Sequence, residues 1–279
     1  MPTGRAVIQL SPEGENSISA CLTPIIDRFI HSFMLMTHTV LHRGANYSHA
    51  PPLSTPTPDL CYTHLLLQNE IPFSSTLSFL IHGKEIGAVT CFNPSPLPSP
   101  DQLRDIPWEK VDWLIMNEGE TNGILTALNP NTEVSSASSS SDDEIQTDHL
   151  DHTKSLLRML HSLPLFSSHT KLICTLGARG VLALIPSLEV SVYVPAARLD
   201  GPVVDTTGAG DCFTGYLIAE LMNSTRSADK EDASTINMSE GIRRVLRRAT
   251  EVSTMNFHLS GVTVGCQQIL RHLLIVAVV

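Results

Sequence analysis

Short apolar runs alternate with helix-length stretches along this chain, and this alternation limits the folds it can adopt. The runs are bounded by turn residues, as β-strands are, and they lie at residues 5–10, 63–68, 86–92, 111–116, 171–175, 181–185 and 189–194. Helix-length stretches occur at residues 23–42, 72–82, 149–162 and 211–223. Strands that alternate with helices predict an α/β fold, with a doubly wound, mostly parallel sheet flanked by helices.

The composition agrees with a sheet that is covered on both faces. Hydrophobic residues make up 42% of the 279 residues and charged residues 16%, which excludes a mostly disordered chain. We expect one α/β domain over residues 1–279, since such sheets often exceed the usual domain size. Residues 131–151 are rich in serine and acidic side chains, and we expect a disordered surface insertion there.

Charge and cysteine usage exclude several classes of protein. The net charge of -10 argues against a general nucleic-acid surface. The six cysteines form no CxxC pair, which favours free thiols in a reducing compartment over a zinc site. The N-terminus does not resemble a secretory signal, and the apolar tail is too short for a membrane span. We therefore expect a cytoplasmic protein without a membrane partner, with a nuclear location left open.

The stretch DTTGAGDCFTGYLIAEL, residues 205–221, has the pattern of a loop that handles a phosphoryl group. Gly208 and Gly210 permit unusual backbone conformations, and a helix is predicted to begin near Asp211. The free N–H groups and the helix dipole would stabilise a phosphoryl group in transit. A carboxylate beside that group can act as a general base toward a hydroxyl. The alternative is that Asp211 only caps the helix.

The segment DTTGAGDCFTGYL resembles the C-terminal signature of the ribokinase-like (PfkB) carbohydrate kinases. Three further segments are similar to that family in the same order, namely LLLQNEIP (65–72), VDWLIMNEGE (111–120) and LICTLGARGVLAL (172–184). The resemblance extends over about residues 3–252. It implies a kinase that uses ATP and phosphorylates a sugar, with D-ribose and its conversion to D-ribose 5-phosphate as the expected reaction.

The resemblance assigns roles to individual residues. Asp211 would be the base and would also touch the sugar, as would Glu70, while Gly208, Ala209 and Gly210 would form the anion hole. Asn117 would approach ATP, and Glu120 would arrange Mg²⁺ through its waters. Asp205 and Thr207 would hold a monovalent cation, K⁺. The nucleotide would also contact the TLGARG segment, which consists of Thr175, Leu176, Gly177, Ala178, Arg179 and Gly180.

Each of the weaker assignments has a structural alternative. TLGARG could be an ordinary strand turn, and Asn117 with Glu118 could simply begin a helix. Glu70 could be a solvated carboxylate at the end of a strand.

The chain also departs from the family pattern at both ends. The N-terminal part of that pattern, which clamps the sugar, has no counterpart here, and we expect an N-terminally incomplete ribokinase-like domain. After Val252 the pattern that completes the cation and adenine sites is not clear. Two alternatives therefore stay open: a nucleotide-binding fragment without catalytic activity, and a kinase for another sugar or a nucleoside. A homodimer also remains open.

Overall fold

The computed structural model describes residues 5–10, 16–21, 63–69, 73–130, 142–188, 191–198, 208–227, 235–255 and 277–278. The helix predicted at residues 23–42 lies outside these ranges. So do Glu70, Asp205 and Thr207, which the family resemblance assigns to the sugar and to K⁺.

The described strands are β1 (Arg5–Leu10), β2 (Asn16–Cys21), β3 (His64–Gln68), β4 (Val89–Asn93), β5 (Trp113–Asn117), β6 (Lys171–Thr175), β7 (Val181–Leu184), β8 (Val192–Val194) and β9 (Ala277–Val278). All but β2 and β9 fall where the apolar runs predict them, with small differences at the ends. Strand β2 was not predicted, because its sequence NSISAC has neither a long apolar run nor a strong alternation. Strand β9 was not predicted, because only two residues of the apolar tail form it.

The helices are α1 (Phe73–Glu85), α2 (Pro100–Asp105), α3 (Glu118–Leu128), α4 (Asp142–His161), α5 (Ala209–Ser227) and α6 (Thr235–Met255). Helix α5 starts slightly before the predicted position, Asp211. Helix α4 starts well before residue 149, so residues 142–151 of the expected insertion are helical, while residues 131–141 lie outside the described ranges. The apolar C-terminal half of α4 packs on the core, and helix propagation from it extends the polar N-terminal half.

The main sheet has the strand order β8-β7-β6-β5-β4-β3-β9. The pairs from β9 through β3, β4 and β5 to β6 are parallel, whereas β7 and β8 pair antiparallel at one edge. Strands β1 and β2 form a separate antiparallel pair. The predicted mostly parallel α/β sheet is thus confirmed.

Two apolar cores cover the two faces of the sheet, because alternate side chains of each strand point to opposite faces. On one face, Leu67 and Leu114 pack with residues of α1, α2, α3 and α4. On the other face, Leu66 and Ile115 pack with residues of α5 and α6. The helices therefore lie on both sides of the sheet, as in a doubly wound fold. Within the described ranges, no helix is both long and apolar enough to cross a membrane.

Candidate active site

Four neighbouring parallel strands each end in a polar residue or a hydroxyl: Gln68 on β3, Asn93 on β4, Asn117 on β5 and Thr175 on β6. Gln68 pairs in register with Asn93, and Asn117 with Thr175. The strands before these residues are apolar and buried. Because the carboxyl ends of parallel strands meet at one edge, this row of polar groups marks the edge where ligands bind in open α/β sheets.

Asp211 lies in the first turn of α5 and is exposed. Gly208 precedes the helix with φ +77°, a conformation that favours glycine. The first helical bond that follows it runs from Cys212 N to Gly208 O, at 2.9 Å. The residue at the N-cap position is therefore Gly208, and Asp211 does not occupy it. The backbone N–H groups of Ala209, Gly210 and Asp211 precede the first helical bond, as an anion-binding turn requires.

Asp211 is joined to the strand edge through Gln68. The side-chain amide nitrogen Nε2 of Gln68 donates to Asp211 Oδ1 at 2.8 Å and to Asn93 Oδ1 at 3.2 Å. Asn93 Nδ2 in turn donates to the backbone oxygen of Ile115 at 2.9 Å. Neither Gln68 nor Asn93 was predicted as a site residue, although a polar residue that ends an apolar strand is a signal present in the sequence.

Asn117 and Glu120 form a reciprocal cap at the start of α3. Asn117 N donates to Glu120 Oε2 at 2.9 Å, and Glu120 N donates to Asn117 Oδ1 at 2.8 Å. This capping box satisfies two backbone donors of the helix end. Helix initiation, the structural alternative for this segment, is therefore present, and contacts of these residues with ATP and Mg²⁺ stay predictions.

Glu120 is buried, with 8% of its surface exposed. Burial raises the pKa of its carboxyl group, while hydrogen bonds from the Asn117 backbone and the Ser95 side chain act in the opposite direction. Desolvation dominates, so the folded protein disfavours the ionised form of Glu120. A cation held nearby would reverse that preference.

The TLGARG segment forms a tight connection between β6 and β7. Leu176 N donates to Gly180 O at 2.8 Å, which closes the turn, and a short 3-10 helix covers Gly177–Arg179. Gly177 and Ala178 are exposed, so a ligand can approach their backbone. Gly180 has φ +107°, and a Cβ atom there would lie 2.2 Å from Val194 O. Glycine is required at this position both by the backbone angle and by the adjacent strand.

Arg179 connects this loop to helices α3 and α4. Its guanidinium forms an ion pair with Glu118, whose Oε1 accepts a hydrogen bond from Thr153 Oγ1 at 3.1 Å. Its backbone oxygen accepts a hydrogen bond from Tyr193 Oη at 2.7 Å. The side chain of Arg179 is therefore engaged in supporting the loop, and the part of the loop that faces outward is the backbone of Gly177 and Ala178.

The described residues contain no group of three or more His, Cys, Asp or Glu side chains that could hold a metal ion. Cys91 and Cys174 are buried free thiols, and Cys212 is also buried.

Comparison with known proteins agrees with this geometry. Residues 58–266 match the pfkB family of carbohydrate kinases. The crystal structure of ribokinase from Cryptococcus neoformans var. grubii serotype A in complex with ADP is 34% identical to this chain. It superposes with a TM-score of 0.68 over 97% of this chain and 72% of that one.

Curated relatives match over a shorter length. Ribokinase of Lactococcus lactis subsp. lactis is 28% identical over 59% of this chain and 42% of its own length. Deoxyribokinase of Salmonella typhi is 29% identical over 54% of this chain and 40% of its own length. The chain thus spans less than half the length of these curated relatives. With the sequence motifs, the sheet order and the position of Asp211 in agreement, the chain belongs to the pfkB family of carbohydrate kinases.

Proposed function

We propose that this protein transfers the γ-phosphoryl group of ATP to the primary hydroxyl of a pentose, with D-ribose as the first candidate. The observation that carries the proposal is the position of Asp211. Its exposed carboxylate lies in the first turn of α5, beside backbone N–H groups that precede the first helical bond, and Gln68 holds it at the polar edge of the sheet. A base and an anion-binding turn in one place are what hydroxyl phosphorylation requires.

In this reaction Asp211 accepts the proton of the sugar hydroxyl while that oxygen attacks the γ-phosphorus. The bond between the γ-phosphorus and the bridging oxygen breaks, and ADP leaves. Negative charge on the phosphoryl oxygens is stabilised by the N–H groups of Gly208, Ala209 and Gly210 and by the dipole of α5. A Cβ atom at Gly210 would contact nothing within 4 Å, so this face of the turn has room for a ligand.

The nucleotide is assigned to the TLGARG loop and Asn117. The exposed backbone of Gly177 and Ala178 supports this assignment, because backbone can approach a ligand most closely where side chains are small. Asn117 ends β5, the strand next to β6, which leads into that loop. Helix capping uses Asn117 Oδ1, and its Nδ2 group remains the donor for a nucleotide.

Mg²⁺ is the cation that this family implies, and the donor set fits it. Mg²⁺ retains several waters and takes few protein carboxylates. Glu120 is a single buried carboxylate near the carboxyl end of β5, where it could orient such waters. When bound, the ion would neutralise charge on the nucleotide phosphates. For K⁺ we propose Asp205 and Thr207, which precede the described part of the glycine turn.

A second candidate substrate is 2-deoxy-D-ribose. The match to deoxyribokinase of Salmonella typhi supports it, because its identity is similar to that of the match to the Lactococcus ribokinase. The two sugars share the primary hydroxyl that Asp211 would deprotonate, and they differ only in the 2-hydroxyl. Glu70 is the residue that we propose for the sugar.

The decisive experiment measures ADP formation by the purified chain with ATP, Mg²⁺ and K⁺, in the presence of ribose, 2-deoxyribose or a nucleoside. We expect the rate to depend on a pentose, and the panel identifies which one. A folded preparation that binds ATP by calorimetry but turns over none of these substrates would overturn the kinase proposal. That result would select the nucleotide-binding fragment instead.

A further inference from the structure

We propose that Gln68 is a positioning residue for the base, and that Asn93 fixes the orientation of its amide. This inference rests on the proposed function, in which Asp211 accepts the hydroxyl proton. It goes beyond the motif because neither Gln68 nor Asn93 belongs to the glycine turn, and both come from strands far away in the sequence.

The orientation of the amides follows from a chain of three hydrogen bonds. The backbone oxygen of Ile115 can only accept, so the group that Asn93 turns toward it must be Nδ2. Asn93 is buried, with 8% of its surface exposed, and it cannot exchange this partner for water. Its oxygen Oδ1 therefore faces Gln68. Because Oδ1 can only accept, Gln68 must present Nε2 to it.

The same Nε2 group then has its second hydrogen available for Asp211. It donates to Asp211 Oδ1 at 2.8 Å, which is a normal length for a charge-assisted bond. Since Oδ1 is held in this way, Oδ2 is the oxygen that we assign to the hydroxyl. A rigid backbone carbonyl in the sheet thus determines, through two amides, which oxygen of the base is held and which one reacts.

The energetic reason for such a support is the exposure of Asp211. An exposed carboxylate on a first helical turn rotates about two side-chain bonds, and only a small part of that range is productive for proton transfer. A hydrogen bond to one oxygen restricts the rotation before substrate arrives. Loss of a single hydrogen bond to a charged group corresponds to roughly a tenfold to hundredfold change in an equilibrium or a rate.

The test is kinetic and uses the whole chain. Gln68→Met keeps the length and volume of the side chain but removes the donor. We expect kcat to fall about tenfold to a hundredfold, with little change in KM for ATP or sugar. The matched control is Gln102→Met, which removes a different amide, the one that accepts from Ser99 N at 2.9 Å at the start of α2. We expect this control to keep the wild-type kcat.

A double variant separates positioning from a general structural effect. In the Asp211→Ala background, Gln68→Met should cause no further loss of residual turnover, because the group it positions is gone. An equal loss in both backgrounds, an unchanged kcat in the single variant, or a rise in sugar KM with constant kcat would each overturn the inference. Gln68→Glu, which retains the shape but replaces the donor by a carboxylate, should be at least as impaired as Gln68→Met.

A second readout does not depend on turnover. The side-chain amide signals of Gln68 can be identified in a ¹H–¹⁵N spectrum by their absence in Gln68→Met. We expect Asp211→Ala to shift them and to leave the Gln102 side-chain signals in place. If the wild-type chain phosphorylates no pentose, the proposed function fails and the spectrum still decides the contact. Gln68 signals that do not respond to Asp211→Ala would refute the positioning role.

Discussion

Replacement of Gly180 by alanine should be among the most damaging changes of a single methyl group in this protein. Gly180 connects the TLGARG loop to β7, with φ +107° and ψ -135°. An added Cβ atom would lie 2.2 Å from Val194 O and 2.6 Å from both Ala196 N and Pro195 C. All three atoms belong to the backbone at the end of β8, so no side-chain rotation can relieve the overlap.

Two contributions add to the loss of stability in Gly180→Ala. A non-glycine residue in this backbone region costs about 1–3 kcal/mol. The overlap with fixed backbone adds a cost like that of overpacking a core, about 1–3 kcal/mol. We therefore expect Gly180→Ala to lower the free energy of unfolding by about 2–6 kcal/mol, a large part of the ~5–15 kcal/mol typical of a folded protein.

The control lies in the same loop. Gly177 also has a positive φ, +57°, but a Cβ atom there would meet nothing within 4 Å. Gly177→Ala should therefore cost only the backbone term, about 1–2 kcal/mol. Urea unfolding followed by circular dichroism measures the stability of both variants, and calorimetry reports whether each variant binds ATP. Equal losses for the two variants, or a loss below about 1 kcal/mol for Gly180→Ala, would refute the reasoning.

Three further predictions concern Asp211, Glu120 and the buried thiols. Asp211→Ala should lower pentose phosphorylation by about 10²–10⁴-fold while calorimetry still detects ATP binding, and a parallel loss of binding would contradict the base assignment. Burial raises the pKa of Glu120, so the protonated carboxyl group stabilises the fold relative to the ionised one. That stabilisation is present at acidic pH and is lost as the pH rises through the folded pKa. Glu120→Gln should therefore be more stable than wild type in urea at neutral pH. This advantage should disappear at about pH 4, and the variant should turn over more slowly. Burial raises the pKa of Cys174 to about 12 and also raises that of Cys91, so mass spectrometry should find neither alkylated by iodoacetamide until urea unfolds the chain.

The sequence predicted the sheet well because its signal is local. The strands from β3 to β7 are short apolar runs between turn residues, and a strand buried on both faces requires such a run. Helix α2 was missed because Pro100–Asp105 is too short for a periodic pattern, and a Ser99 capping box starts it. The early start of α4 was missed because its first residues are polar and acidic.

The site was predictable to the extent that it is contiguous in the chain. The glycine turn and Asp211 lie within a few residues of one another, so the backbone freedom, the start of the helix and the proposed base can be read together from DTTGAGD. The segment from Asn117 to Glu120 was also recognisable, but its sequence could not separate helix capping from ligand binding. The structure shows the capping box, and the burial that raises the pKa of Glu120 became visible only there.

The sequence by itself thus determined the α/β class, the family and the position of Asp211 at the start of a helix, because local patterns encode each of these. Only the tertiary structure decided what supports that carboxylate. Gln68 is separated from Asp211 by 143 positions, and the two meet because β3 ends at the sheet edge where α5 begins. The backbone carbonyl of Ile115, on a third strand, β5, fixes the orientation of the Asn93 amide and, through it, that of the Gln68 amide. Hydrogen bonds are short and directional, so such an arrangement exists only after the sheet has brought its strands into register.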